Sequence, residues 1–102
     1  MANRLEILKS MVEMKPDDSF ARYGYAMELR NTGDLAGAMR EFDELRSRNP
    51  DYTATYFHAG QTLERLGRLE DARAIYQEGI EVTTRKGDMH ARGELQGALD
   101  LL

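Results

Sequence analysis

The chain has no cysteine, which excludes a disulfide framework and any metal site built on thiolates. It has two histidines, His58 and His90, and neither stands at a metal-ligand spacing from the other. Asp88 and His90 are two residues apart, so on a helix they would not share a face. No metal and no cofactor is expected. Long apolar runs are missing too: nothing approaches the ~18 residues needed to span a bilayer. The N-terminus, MANRLEILKSMVEMK, has spaced apolar residues and lacks the continuous stretch and cleavage site of a signal peptide. There is no basic block for nucleic acid or anionic lipid, because both signs interleave and the net charge is -4. No glycine-rich phosphate loop, nucleophile elbow or triad is present, so enzyme activity is not expected. These absences point to a cytoplasmic protein with neither nucleic acid nor membrane as partner.

What is present is a repeat. The 102 residues suffice for one small domain, and 41% hydrophobic with 31% charged residues fits a soluble globular chain. Shifted by 34 residues, positions 19–50 align with 53–84. Leu29 meets Leu63, Gly33 meets Gly67, Leu35 meets Leu69, Ala38 meets Ala72 and Glu44 meets Glu78. Tyr23 pairs with Phe57, Ala26 with Gly60, and Phe42 with Tyr76, while Pro16-Asp17 is echoed by Pro50-Asp51. The matches fall at small, large apolar and turn positions, where packing is demanding. A fixed period of this size signals stacked supersecondary units.

Each unit reads as two helices. Tyr25, Ala26 and Leu29 share one helical face, and Gly33 supplies a left-handed stop. Asp34 is placed to cap the next helix, on which Leu35, Ala38, Phe42 and Leu45 form one stripe. Asn49-Pro50 ends it, because the residue before proline is pushed out of the helical region. The second unit repeats this with Ala59, Gly60, Leu63 and Gly67, then Leu69, Ala72, Tyr76 and Ile80. Small residues at Ala26, Ala38, Gly60 and Ala72 let paired helices approach to roughly 8 Å. Glu44 with Arg48, and Glu64 with Arg68, have the spacing of helix-surface ion pairs.

This pattern resembles the tetratricopeptide repeat family. The shared features are the small residue of the first helix (Ala26, Gly60), its leucine (Leu29, Leu63) and the turn glycine (Gly33, Gly67). The second-helix alanine (Ala38, Ala72), its aromatic (Phe42, Tyr76) and the terminal Pro50 complete the match. Thr84 stands where the second proline would be, and Arg22 where the family usually has an aromatic such as Tyr56. The resemblance implies an all-α, right-handed superhelical stack of antiparallel helix pairs, with residues 19–52 and 53–86 as two repeats. Residues 3–16 look like the second helix of a repeat whose first helix is absent. Residues 88–102 look like a capping helix, with Asp88 as its cap and Ala91, Leu95, Ala98, Leu99 and Leu102 on one stripe. Gly93 and Gly97 weaken that last helix by about 1 kcal/mol each relative to alanine. Six helices are expected, near 3–14, 18–31, 35–48, 52–66, 69–84 and 88–101.

The first helices have a second face that the core stripe does not require. In unit one it carries Phe20, Tyr23, Met27, Arg30 and Asn31. In unit two it carries Ala54, Phe57, Gln61, Glu64 and Arg65, with His58 beside it. The resemblance implies that this face lines a concave groove that binds a peptide or helix of a protein partner. One branch of the family grips a terminal carboxylate with lysine and asparagines there. Tyr23, Met27, Phe57 and Gln61 stand in their place, so such a clamp is not implied. An aromatic and methionine surface suits an apolar or helical ligand. Two other uses are open: a second copy of the chain associates through the groove or through the cap helix, giving a homo-oligomer, or residues 88–102 fold over the groove.

Overall fold

A computed structural model describes residues 3–102 as six helices joined by short turns. They are α1 (Arg4–Met14), α2 (Ser19–Asn31), α3 (Leu35–Arg48), α4 (Ala54–Arg65), α5 (Leu69–Lys86) and α6 (Met89–Asp100). Four starts are capped by side chains that accept from orphan backbone N–H groups. Asn3 accepts from Glu6 N (2.9 Å), Asp18 from Ala21 N (3.1 Å), Asp34 from Gly37 N (2.8 Å) and Asp88 from Ala91 N (3.1 Å). Helix α5 starts at Arg68 without a side-chain cap, and Glu70 and Asp71 in its first turn complement the helix dipole instead. Three glycines with positive φ end α2, α4 and α5: Gly33 (95°), Gly67 (76°) and Gly87 (75°). After each, the next N–H folds back at 2.9 Å onto Leu29 O, Leu63 O or Thr83 O.

Lacking a proline at Thr84, α5 runs on to Lys86 and stops at Gly87. Gly87-Asp88 repeats the turn chemistry of Gly33-Asp34, so α6 folds straight back onto α5 as a tight hairpin. Its span lies 35 residues after that of α4, one more than the sequence period. It also contacts α4, so α6 stacks as a third first helix. Leu95 and Ala98 are buried, and Ala91, Leu99 and Leu102 are half-buried, as the stripe required.

The core runs through the stack. Ala26, Ala38, Phe42, Tyr56, Ala59, Leu63, Ala72, Tyr76 and Leu95 are all buried within it. Ala26, Ala38 and Ala72 have no exposed surface at all, the outcome expected where helices cross. Gly60 lies so near Tyr76 that an added Cβ would sit 2.1 Å from its ring. Gly79 is a further close approach, with Tyr56 Cβ at 2.6 Å and Leu95 Cδ1 at 2.9 Å from a Cβ built there. Leu69 departs from its stripe and is half exposed, because it is the first residue of α5, at the open edge of the α4–α5 turn.

Arg22 takes over the work of the aromatic found in unit two. Tyr56 donates its hydroxyl to Pro50 O, and Arg22 donates Nη2 to Pro16 O at 3.0 Å, the same bond one period earlier. The buried guanidinium also pairs with Glu41 through Nη1 at 2.7 Å. In unit two the position of Glu41 is held by buried Ile75. The paired Arg22 and Glu41 of unit one thus stand where buried Tyr56 and Ile75 stand in unit two. The Pro-Asp echo recurs as a clamp: Asp17 accepts from Arg48 (2.6 Å) and Asp51 from Arg85 (2.9 Å).

The stack is curved. Backbones of α2 and α4 come within 8 Å, as do those of α4 and α6. Those of α1 and α3, or α3 and α5, do not, although Arg46 bridges to Glu78 at 3.3 Å. The side where helices approach is the inside of the curve, so α2, α4 and α6 line the inner face. The splayed outer side leaves a cleft of about 290 Å3 between α3 and α5, floored by Met39, Leu63 and Ile75.

Candidate functional site on the inner face

Helical spacing sets the side chains of the inner face in rows, and the turns fix how the rows meet. Phe20, in the first turn of α2, is 75% exposed. Tyr23 is half-buried, with its ring centroid 5.7 Å from Tyr52 and 5.7 Å from His58. Phe57 stands edge-on to His58 at 5.5 Å. Tyr52, Tyr23, His58 and Phe57 therefore form one continuous aromatic row across α2 and α4. Asn31 and Arg65 are exposed at the ends of α2 and α4.

Tyr23, Met27 and Phe57 are each half-buried and pack against the core. One expectation needs correction, the Glu64–Arg68 ion pair. Gln61 and Glu64 are engaged inside the molecule. Gln61 Nε2 donates to the Tyr76 hydroxyl at 2.9 Å, and that hydroxyl donates to the Glu64 carboxylate. Glu64 thus does not pair with Arg68, which bonds Asp71 at 2.8 Å instead. Burial and then the Glu64 carboxylate raise the Tyr76 phenol well above its ordinary range, so it stays a donor. The other surface pair, Glu44–Arg48, forms at 2.7 Å.

Between α4 and α6 lies a crevice of about 190 Å3, lined by Thr53, Ala54, Phe57, His58, Ala91, Glu94 and Leu95. The backbone of α6 does not come within 8 Å of α2, so the last helix extends the inner face alongside α4. Tyr52 and Glu94 belong to this region and were not among the sequence candidates. Tyr52 sits in the turn before α4, where no periodicity marks it. Glu94 was legible only through the Gly87-Asp88 turn, which sets α6 beside α4.

Arg30 Nη1 donates to His58 Nδ1 at 3.3 Å, which requires an unprotonated Nδ1. Burial, then the Arg30 charge, hold the imidazole below its ordinary value of 6.5, and Glu94 opposes them in part. In the unfolded chain this histidine takes up a proton at higher pH than in the fold. The unfolded state therefore binds more protons as pH falls through 6.5, and stability is lost until the lower folded-state value has been passed. His58→Gln is expected to keep an acceptor for Arg30 and to flatten that part of the pH profile. Thermal melts of both chains from pH 7.5 to 5 check this, and parallel profiles would show that His58 carries none of the slope.

Among the described residues no group of three or more His, Cys, Asp or Glu side chains could hold a metal ion. His90 is exposed and pairs with Glu94 at 2.7 Å. No helix among them is long and apolar enough to cross a membrane. The inner face offers aromatic edges and a few charges.

Comparison with known proteins gives the same architecture. The tetratricopeptide repeat family model matches residues 29–92. A TPR repeat-containing protein of Pseudomonas aeruginosa is 24% identical over 91 residues, which is 89% of this chain and 87% of that protein. The solution structure of a tetratricopeptide repeat domain protein from Salinibacter ruber superposes with a TM-score of 0.79 at 40% identity, covering 83% of this chain and 86% of that one. The type III secretion translocator chaperone SycD of Yersinia enterocolitica shares the fold at a TM-score of 0.88 and 15% identity, over 96% of this chain and 74% of that one.

Proposed function

Because the chain belongs to the tetratricopeptide repeat family, we propose that it is a non-enzymatic interaction module whose inner face holds a peptide or helix of a protein partner. The aromatic row Tyr52–Tyr23–His58–Phe57 carries this reading. It lies on the inside of a curve, it is half-buried, and the backbone of α6 stays beyond 8 Å of α2. Aromatic anchors fixed in this way lose little side-chain entropy on binding and dominate interface energetics. The test is selection of peptides from a displayed random library on the immobilised chain. Selected peptides should bind the outer-face variant Glu70→Gln as they bind the parent, and should bind Met27→Glu at least about tenfold more weakly. Peptides indifferent to Met27→Glu would place the binding surface elsewhere.

A second reading rests on a different observation. Ile7, Met11 and Met14 are exposed along one side of α1, at the end of the stack. Their i, i+4, i+7 spacing makes an apolar seam that a second copy of the chain could cover, giving a homo-oligomer. Sedimentation equilibrium separates the readings. A dimer that Met11→Glu plus Met14→Glu converts to monomer supports this one, and a parent chain monomeric at high micromolar concentration removes it.

A further inference from the structure

We propose that the crevice between α4 and α6 is a pocket for a single lysine or arginine side chain of the protein ligand, with Glu94 as its counter-charge. The proposal rests on the reading that the inner face is the binding face. The crevice of about 190 Å3 is below the ~300–1,000 Å3 of pockets for drug-sized ligands, so it suits one side chain. Its floor is apolar: Ala54, Ala91 and Leu95. Phe57 and His58 flank it with aromatic rings, and Glu94 supplies the one carboxylate in its lining.

The combination discriminates between side chains. An aliphatic side chain would cover the half-exposed carboxylate of Glu94 and offer it no hydrogen bond, which is unfavourable. An acidic one would meet like charge. A lysine or arginine lays its methylene stem along the alanines and Leu95 and brings its charged head to the carboxylate. The Phe57 ring adds attraction for a cation over its face. Three cationic or titratable groups stand in or beside it, and the first, His58 in its lining, accepts from Arg30 through an unprotonated Nδ1. His90 occupies one oxygen of Glu94, at 2.7 Å, and an ionised carboxylate retains further acceptor sites. Arg30 is engaged with His58 Nδ1 and does not line the crevice.

The experiment is a parallel selection of a displayed random peptide library, at neutral pH, on the parent chain and on Glu94→Gln. The parent pool should converge on lysine or arginine at one fixed position. On Glu94→Gln that positional preference should fall about tenfold, while preferences at other positions persist. His90→Ala should leave the basic preference in place. An aliphatic or acidic preference in the parent pool, or a basic preference that survives Glu94→Gln, would overturn the proposal and leave the inner-face reading standing. A failure of the parent chain to enrich any peptide would instead overturn that reading, and this proposal with it.

Discussion

Replacing Tyr76 with alanine is expected to lower the unfolding free energy by ~3–5 kcal/mol, the usual cost of deleting a fully buried aromatic ring. Tyr76 has no exposed surface. Its ring fills the space that Gly60 leaves open on α4, and its hydroxyl sits between Gln61 and Glu64. The truncation removes ring contacts and leaves both polar partners without their bond, so collapse of the cavity gives little relief. Against a total stability of roughly 5–15 kcal/mol for a domain of this size, the loss is a large fraction. Tyr76→Phe keeps the ring and loses only the hydroxyl, so a cost of roughly 1–2 kcal/mol is expected. Urea melts of the two variants check the order. If Tyr76→Phe cost as much as Tyr76→Ala, the hydroxyl network and not the ring would be holding α4 on α5.

The largest effect on binding is expected from Tyr23→Ala combined with Phe57→Ala. Both rings belong to the aromatic row, one on α2 and one on α4. Anchors of this kind typically cost ≥ 2 kcal/mol each when truncated, so affinity for peptides selected on the parent should fall by about a hundredfold or more. Both rings are half-buried against the core, so each truncation should also cost roughly 1.5–2.5 kcal/mol of stability, about half the figure for a fully buried ring. Phe57 also lines the crevice between α4 and α6, but the buried crossing points at Ala26, Ala38 and Ala72 are untouched, so the helical stack should persist. Far-ultraviolet dichroism reports the fold and a peptide titration reports the affinity. A chain that stays folded and keeps its affinity would sink the groove reading.

Much of this was legible because helix punctuation is local. Gly33 and Gly67 stop helices wherever they occur, since a positive φ suits a residue without Cβ, and Asp34 and Asp88 cap whatever helix follows them. The 34-residue period then fixes which units stack, because small and large residues must meet in register. The same rule applied to Gly87 would have ended α5 at Lys86 and set α6 beside α4; the sequence reading looked for a proline there instead.

What the sequence by itself determined was therefore an all-helical repeat, its pairings and its crossing points at Ala26, Ala38 and Ala72. What only the tertiary structure decided depends on partners far apart in the chain. Arg22 reads as a misfit until Glu41 and Pro16 O are placed around it. Gly79 lies inside α5, and only Tyr56 and Leu95, closing on it from two other helices, give the reason for a residue without Cβ there. Gln61 shares a helical face with the groove residues, yet the Tyr76 hydroxyl claims it. A period specifies which residues recur on a helix face, but the tilt between helices decides whether that face meets solvent or another helix. That tilt is set by the summed packing of the whole stack, and no local stretch of sequence contains it.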